Sequence, residues 1–478
     1  MYDLIVIGDD LSSHVAAAVA TGYGLHTALL TEVDTGGTYS NGDFAFNLDP
    51  TPLSGFGANQ ICSSLFEDLN IPLNEIGGRL LNPAYQVILP EHRIDFFHQK
   101  DTLINEMARE FPDHVQEINS FYDSAIKYSS IFGNWINEHP FVQPQSIKDC
   151  YNYLKLIPHF LKYKYEKSKL EKIIFKNASL KKIFEAQEIL LSCINTSQNK
   201  FAVDYLYSIP FRGVYCFPQG NQIIYDSLIK KIVSGNSIHL SNCDIISIKK
   251  GKLIEIADKN GNTSILEARN LIVSTKWERM NLLLENKKRI NIGDWFRPVN
   301  TSYFPFSIHL GCAQKCLPEK MARHLALVTD VNKDIYDNNI IIIESVLSAE
   351  ESVTAKDKIS LTATVYLPND SSIWCQENLE TIASSIMDRL EQFLPFLKEN
   401  IEFYDLNTSI EISKMCRKIV NPKYQMKNSF LTGFAARTNK TRFKNVYLTG
   451  ASLLADAGFE GEIISGMNAV SRVIGRKV

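Results

Sequence analysis

The first 32 residues contain the pattern that most constrains the fold of this chain. Tyr2–Gly8 is a continuous apolar run, rich in β-branched residues, that ends at a glycine, as is typical of a parallel strand buried on both faces. Small, helix-compatible residues follow in Ser12–Ala20, and a second apolar run, Thr27–Leu30, leads into Thr31-Glu32. The order of strand, tight turn, helix, strand and acid predicts a βαβ unit of the dinucleotide-binding kind.

The loop inside this unit is a degenerate form of the Gly-x-Gly-x-x-Gly pattern. Its three glycines normally permit the tight turn, the approach of the backbone to a pyrophosphate, and close packing of helix on strand. Here the three positions hold Gly8, Asp10 and Ser13. Asp10 introduces a carboxylate where a diphosphate should lie, and an aspartate at this place can cap the helix itself. The acid expected at the tip of the second strand falls on Thr31, with Glu32 one residue later. The loop alone fits a modified cofactor site or a loop kept only for its fold.

The glycines that follow make the pattern more specific. Gly36-Gly37 forms a paired-glycine turn, and Gly42–Thr51 comes next. This order resembles the phytoene desaturases, amine oxidases and Rab GDP-dissociation inhibitors, which have such a turn followed by a Gly-x-x-Phe-Asp-x-Gly stretch along the cofactor. Phe46 and Asn47 match the Phe-Asp pair, with asparagine for aspartate, and Asp49 stands where these proteins usually have glycine.

Two later segments continue the resemblance in the same order. Phe211–Asn221 is similar to the family's Gly-x-x-x-x-Pro-x-Gly-Gly entry to a helix, although Asn221 replaces the second glycine. Glu267–Thr275 resembles the strand that returns the chain to the dinucleotide fold near the adenosine side of the cofactor. In that strand Thr275 falls near a position usually held by a small residue.

The C-terminal segment is the best single match to the family. Phe443–Ala451 and Ala457–Ala469 resemble Asn-Leu-Tyr-Leu-x-Gly-Asp/Ala, a short loop, and Gly-x-x-Gly-x-x-x-Ser-Gly-x-x-Ala. The resemblance implies that the strand ends beside the pyrophosphate and that the loop opens a helix whose N-terminus faces the flavin. Glu462 departs from the pattern, because a small residue is usual there, and it is predicted either to cap this helix or to crowd the flavin. The resemblance implies cofactor contacts for Gly8, Asp10, Ser13, Glu32, Gly36, Gly37, Thr275, Gly450, Ala451, Gly461, Glu462 and Ile463.

These landmarks span nearly the whole chain and predict an α/β fold. The resemblance implies a two-dinucleotide-binding-domain flavoprotein, with a Rossmann-like FAD domain and an inserted α+β substrate domain. The expected boundaries are 1–57, 206–290 and 430–478 for the discontinuous FAD/NAD(P)-binding domain, 58–205 for a mostly helical insertion, and 291–429 for a substrate-binding sheet-and-helix domain.

Composition and charge give no support for nucleic-acid binding and indicate one candidate docking surface. The net charge of −3 gives no indication of nucleic-acid binding, and the nine dispersed cysteines without a Cys-x-x-Cys pattern are typical of reduced intracellular thiols. The stretch 151–182 is aromatic and rich in lysine, which favours docking on an anionic membrane surface or on a partner, with a solvated helix face as the alternative. The expected location is cytoplasmic, either free or peripheral on the inner face of a membrane.

Two functions from different classes remain open. The resemblance implies an FAD-dependent oxidoreductase of the desaturase or isomerase type, which transfers hydride from a hydrophobic, polyene or lipid-like substrate to flavin. The alternative is a catalytically inactive, flavin-free relative that acts as a binding, escort or assembly partner, as Rab escort proteins and GDP-dissociation inhibitors do. It rests on six polar replacements at cofactor-side positions, which are Asp10, Thr31, Asn47, Asp49, Asn221 and Glu462. No catalytic side chain or metal-ligand cluster stands out. A nicotinamide enzyme would leave the C-terminal motif unexplained, and a redox-neutral lipid isomerase would share the same landmarks.

Overall fold

The computed structural model contains two main sheets and a set of helices. It describes residues 1–33, 36–138, 147–195, 200–218, 220–249, 253–276, 299–347, 357–426, 438–441 and 443–478. The strands are β1 (Tyr2–Ile7), β2 (Thr27–Leu30), β3 (Thr38–Asn41), β4 (Phe44–Asn47), β5 (Leu53–Ser54), β6 (Arg79–Leu80), β7 (Tyr85–Ile88), β8 (Arg93–Phe96), β9 (Val214–Cys216), β10 (Ile238–Leu240), β11 (Asp244–Lys249), β12 (Leu253–Ala257), β13 (Thr263–Ser274), β14 (Val299–Ala313), β15 (His324–Val328), β16 (Ile340–Leu347), β17 (Lys358–Pro368), β18 (Ile401–Tyr404), β19 (Lys423–Met426) and β20 (Val446–Thr449). The helices are α1 (Leu11–Gly22), α2 (Ile61–Asp68), α3 (Leu73–Ile76), α4 (Lys100–Glu110), α5 (Val115–Glu138), α6 (Ile147–Ile174), α7 (Ala178–Leu191), α8 (Lys200–Tyr207), α9 (Ile209–Arg212), α10 (Gln222–Ser234), α11 (Gln376–Phe393), α12 (Leu406–Met415) and α13 (Gly458–Ile474).

The first sheet contains the predicted βαβ unit at its centre. Its strands run in the order β10-β2-β1-β13-β12-β11, and β20 also pairs with β13. The pairs β10–β2, β2–β1, β1–β13 and β13–β20 are parallel, so the chain must cross over between them, as it does through α1. Leu4, Ile5 and Val6 are fully buried, which confirms the doubly covered strand that the apolar run predicted. Asn260-Gly261, a dipeptide typical of hairpin turns, connects β12 and β13, with Gly261 at φ +78°.

Helix α13 lies across α1 over this sheet. A Cβ on Gly466 would lie 2.6 Å from the carbonyl oxygen of Ser12. Glycine therefore permits the close crossing of the two helices. The crossing brings the N-terminal turn of α1 next to residues 462–466 of α13.

The second sheet is largely antiparallel and has the order β18-β14-β17-β16-β15-β7-β8, with β19 also paired to β14. Apolar residues of α11 pack on one face, and the insertion helices α4, α5 and α7 pack on the other. Strands β7 and β8 lie in the segment predicted as a mostly helical insertion, yet β7 pairs in parallel with β15. This pairing attaches the insertion to the second sheet.

The insertion is otherwise helical from α4 to α8. Its buried aromatic side chains, led by Phe121, Tyr122, Phe184 and Tyr207, form one cluster with residues of β7 and β15. Among the described helices, none has the length and apolar character needed to cross a bilayer. The architecture confirms the predicted α/β class, with a Rossmann-like mixed sheet and a separate, largely antiparallel sheet.

Candidate functional site

The loop between β1 and α1 is tightly packed. Gly8 has φ +151°, and a Cβ there would lie 2.4 Å from Ser13 Oγ and 2.5 Å from Ser274 Cβ. Asp10 is the N-cap of α1 and is fully buried. Its Oδ1 accepts from Ser13 N (3.2 Å) and Ser13 Oγ (2.6 Å), and its Oδ2 accepts from Ser274 Oγ (2.7 Å). The predicted capping role of Asp10 is confirmed, and its carboxylate takes the donors of Ser13.

Glu462 lies next to Asp10 at the helix crossing. It is 3% exposed. Its Oε1 lies 3.5 Å from Ser12 N and 3.5 Å from Lys276 Nζ, and its Oε2 accepts from Asn421 Nδ2 at 2.7 Å. Glu462 therefore does not cap its own helix, and the alternative that it crowds a flavin stays a prediction. The crossing at Gly466 directs this carboxylate to the N-terminus of α1.

Lys276 completes this buried cluster and was not predicted as a site residue. Its ammonium group donates to the carbonyl oxygen of Ile419 at 2.6 Å and forms an ion pair with Glu462. Burial lowers the pKa of Lys276, but the nearby carboxylates of Glu462 and Asp10 outweigh burial, so the pKa lies above its ordinary value. Lys276 therefore stays charged, and it neutralises part of the negative charge at the helix crossing.

The residues at this crossing do not fit the pyrophosphate of a dinucleotide. A bound diphosphate would need the first backbone N–H groups of α1 and a compensating positive charge. The N–H groups of Ser12 and Ser13 already face carboxylates, and Lys276 is already paired. A diphosphate would therefore meet two buried carboxylates instead of donors.

The residues that follow β2 also contact other groups of the protein. Thr31 Oγ1 lies 3.0 Å from His239 Nε2, and Glu32, which was predicted as a cofactor contact, is ion-paired with Lys418 at 2.5 Å. Asp9, which was not predicted as a site residue, accepts from Val33 N at 2.9 Å. Burial raises the pKa of Asp9 to about 6. Lys418, which supplies the positive charge next to Asp9 and Glu32, lies in the 3-10 turn Cys416–Lys418.

Because the pKa of Asp9 is raised, we expect that replacing this residue with the neutral asparagine increases the stability of the protein in a pH-dependent way. Because the pKa is higher in the folded chain than in the unfolded chain, ionisation of Asp9 costs stability above about pH 6 and costs nothing below about pH 4. Asp9→Asn keeps an oxygen for Val33 N, and we expect it to stabilise the protein by up to roughly 3 kcal/mol at neutral pH. Urea unfolding at neutral and acidic pH measures this gain. An equal effect of the substitution at both pH values would contradict the prediction.

The paired glycines contact helix α10. A Cβ on Gly36 would lie 2.3 Å from Gln222 Oε1, and one on Gly37 would lie 3.0 Å from Asn221 Cβ. The contact at Gly37 is tight enough to favour glycine, whereas the flexible Gln222 side chain could move away from a Cβ on Gly36. The glycines of this turn do not by themselves indicate a cofactor.

Asn47 and Asn221, two of the polar replacements, are joined to each other. The Oδ1 of Asn47 accepts from Asn221 N at 2.8 Å, and its Nδ2 donates to Glu344 Oε1 at 2.7 Å. Glu344 is buried and ion-paired with Arg323 at 3.2 Å. These replacements thus connect the first unit to the second sheet.

The C-terminal strand and its predicted site residues face other protein groups. Gly450 has φ +135°, and a Cβ there would lie 2.2 Å from Thr275 Oγ1. Gly450 N donates to Ser465 Oγ at 3.0 Å. Ala451 is fully buried in a small cluster, and the other members of that cluster are Cys193, Ile194, Tyr424 and Ala455.

The start of α13 is covered by backbone from α7 and from the preceding 3-10 turns. A Cβ on Gly458 would lie 2.1 Å from the carbonyl oxygen of Leu191, and one on Gly461 would lie 2.3 Å from that of Leu454. Ile463 is fully buried in the core beneath α1. The glycines here allow close approach of the protein's own backbone at the place where the resemblance implies a flavin ring.

A second buried charge pair lies on the other side of α13, and the sequence did not identify it. Arg212 Nη1 lies 2.7 Å from both carboxylate oxygens of Glu460, and its guanidinium stacks 3.8 Å from the centre of the Tyr205 ring. Ser54 Oγ donates to Glu460 at 2.6 Å, and Tyr205 also donates its hydroxyl to this carboxylate. The pair borders a cavity of about 300 Å³ that is also lined by Ser129.

A larger cleft of about 1190 Å³ opens between the small sheet β5-β9-β6 and the second sheet. It is lined by apolar residues such as Phe217 and Met321 and by charged residues such as Arg79, Lys315 and Asp357. Among the described residues, none of the predicted cofactor contacts lines this cleft. The structure thus separates the cleft from the predicted cofactor positions.

Comparison with known proteins identifies the fold. No family model and no curated protein matches the chain. The structure is similar to cyclohexylamine oxidase from Brevibacterium oxydans, with a TM-score of 0.57, 11% identity and 99% of each chain covered. It is similar to an oxidoreductase from Methanosarcina mazei, with a TM-score of 0.55, 14% identity, and 99% of this chain and 100% of that chain covered. It is also similar to the Rab GDI from Plasmodium falciparum, with a TM-score of 0.53, 12% identity, and 100% of this chain and 99% of that chain covered. The chain therefore has the fold shared by the flavin-dependent amine oxidases and Rab GDI.

Proposed function

We propose that this chain is a flavin-free representative of the fold and acts by binding a partner. The observation that carries the proposal is the contact of two buried carboxylates, Asp10 and Glu462, with the first N–H groups of α1. In this fold, those N–H groups are the donors that a dinucleotide pyrophosphate would use. In this protein, its own two carboxylates face these N–H groups in place of a pyrophosphate.

Charge supports the proposal. Asp10 is fully buried and Glu462 is 3% exposed, so neither carboxylate can turn to solvent without repacking of the helix crossing. A diphosphate placed beside them would add negative charge to a site of low dielectric, where like charges repel strongly. Displacing Glu462 would also break its buried ion pair with Lys276 and its hydrogen bond from Asn421.

The flavin end gives independent support. The backbone of Leu191 and Leu454 packs against Gly458 and Gly461 at the start of α13. The resemblance implies backbone donors to a flavin ring at this helix start, whereas the groups that approach these glycines are carbonyl oxygens. A ring system here would compete with contacts that hold α7 to α13.

A second candidate is an FAD-dependent oxidoreductase of the desaturase or isomerase type, acting by hydride transfer on a hydrophobic, polyene or lipid-like substrate. One observation favours it, which is the strand-turn-helix geometry of the C-terminal motif, with Gly450 and Gly458 both at positive φ. In that case FAD would supply the hydride acceptor, and Asp10 and Glu462 would have to be displaced. We place the flavin-free binding protein first because Asp10 and Glu462 already contact the N–H groups that a cofactor would need.

Flavin content tests the proposal directly. We expect the purified protein to be colourless in the blue and to show no saturable change in flavin fluorescence when FAD is titrated. Because the protein's own side chains fill the helix crossing, the same sample should unfold cooperatively without added FAD. A yellow protein with stoichiometric flavin, or tight saturable binding of FAD, would establish the oxidoreductase candidate instead.

A further inference from the structure

Helix α6 carries an exposed apolar stripe that no described element covers. Tyr151, Leu154, Leu161 and Tyr165 are 61%, 60%, 59% and 79% exposed, and Pro158 is exposed between them. These residues lie 3, 7, 10 and 14 positions after Tyr151, a spacing that places them on one face of a helix. Single exposed leucines are ordinary, but a contiguous apolar stripe marks an interaction surface.

The packing of α6 shows that this stripe is not its core face. Glu171 and Ile174 are buried, and Ile157 and Leu170 are half-buried. The helical positions of Leu170, Glu171 and Ile174 lie opposite the stripe, where α6 packs against α5 and α8. The helix is therefore anchored by one face and presents the other outward.

Lysines flank the exposed stripe. Lys155 lies 4.7 Å from the centre of the Tyr151 ring, and the Lys162 side chain is 65% exposed. Helix α6 contains seven lysines against three acids, Asp149, Glu166 and Glu171, although the whole chain has a net charge of −3. Positive charge is thus concentrated on the helix that exposes the apolar stripe.

We propose that this face of α6 docks flat on the surface of an anionic lipid bilayer. Leu154 and Leu161 would enter the boundary between headgroups and acyl chains, the tyrosine rings would lie at headgroup level, and Lys155 and Lys162 would contact lipid phosphate. A protein groove would complement the leucines, but it gives no reason for the lysines that border them. Anionic lipid complements both. The proposal is independent of whether the chain binds flavin.

Flotation of the full-length protein with vesicles tests this docking. We expect binding to phosphatidylcholine vesicles that contain phosphatidylserine, little binding to phosphatidylcholine alone, and loss of binding in high salt. Leu154→Ser/Leu161→Ser and, separately, Lys155→Gln/Lys162→Gln should each reduce the bound fraction by roughly tenfold. Matched controls are Ile265→Ser and Phe396→Ser, since both residues are similarly exposed, at 66% and 63%, on other elements. Circular dichroism checks that each variant is folded.

Three outcomes would overturn the proposal. The first is no binding of the wild-type protein to phosphatidylserine vesicles. The second is binding that the α6 variants and the controls reduce equally. The third is self-association of the wild-type protein, measured by sedimentation, that is lost in Leu154→Ser/Leu161→Ser while vesicle binding is absent, because that result assigns the face to a protein contact.

Discussion

Replacing Arg212 with methionine should destabilise the protein by about 3–5 kcal/mol, measured as the free energy of unfolding in urea. Glu460 is 1% exposed, and Arg212 is its only cationic partner among the described residues. Methionine retains much of the apolar contact with the Tyr205 ring but removes the charge, so the Glu460 carboxylate is left buried and uncompensated. The expected loss in the free energy of unfolding therefore arises from the unpaired carboxylate of Glu460.

The control for this prediction is an exposed pair elsewhere in the chain. Lys398 Nζ lies 3.1 Å from Asp388 Oδ1, with side chains 48% and 64% exposed. Lys398→Met should cost less than about 1 kcal/mol, because exposed ion pairs contribute little. If Arg212→Met cost no more than Lys398→Met, burial of the Glu460 carboxylate would not be the cause.

The double variant Arg212→Met/Glu460→Gln separates charge from packing. The glutamine oxygen can accept from one of the Ser54 and Tyr205 hydroxyls, its amide NH2 can donate to the other, and no unpaired charge remains. We expect it to recover most of the loss, which corresponds to a coupling energy of about 2–3 kcal/mol between the two positions. Simple additivity of the two substitutions would contradict the ion-pair explanation.

The elements that sequence predicted well are those encoded locally. β1, α1 and β2 follow from consecutive residues, and the Asn260-Gly261 turn follows from the positive φ that glycine adopts easily. The cap formed by Asp10 was also predictable, because it joins residues only three apart. Each of these needs only a short window of the chain.

The parts that sequence missed depend on contacts between distant residues. Lys276 and Glu462 are 186 positions apart, and Arg212 and Glu460 are 248 apart. The pairing of β7 with β15 likewise joins segments far apart in the chain. Motif matching compares each residue with the family's residue at one position, so it registered Glu462 as a departure but could not supply its cation.

Removal of both carboxylates from the helix crossing should convert it into an anion site. In Asp10→Gly/Glu462→Ala, the N–H groups of Ser12 and Ser13 lose their carboxylate acceptors, and Lys276 stays buried without its carboxylate partner. We expect the free energy of unfolding to fall by several kcal/mol, because a cap and a buried ion pair are both lost. Added inorganic pyrophosphate or ADP should then raise the midpoint temperature of thermal unfolding of this variant. At a ligand concentration a hundredfold above Kd, the expected stabilisation is about 2.7 kcal/mol. The wild-type midpoint should not move.

Lys276 decides whether that shift is specific. Adding Lys276→Met to the double variant should abolish the stabilisation by pyrophosphate, because the helix N-terminus alone lacks a full compensating charge. Glu462→Gln alone provides a milder variant should the double variant fold poorly, and it should show a smaller anion-dependent shift. If pyrophosphate stabilised the wild-type protein as much as the variants, the two carboxylates would not be occupying the anion position, and the proposal of a flavin-free site would lose its main support. A shift confined to the variants would mean that this fold still forms the framework of a pyrophosphate site, and that Asp10 and Glu462 are what close it.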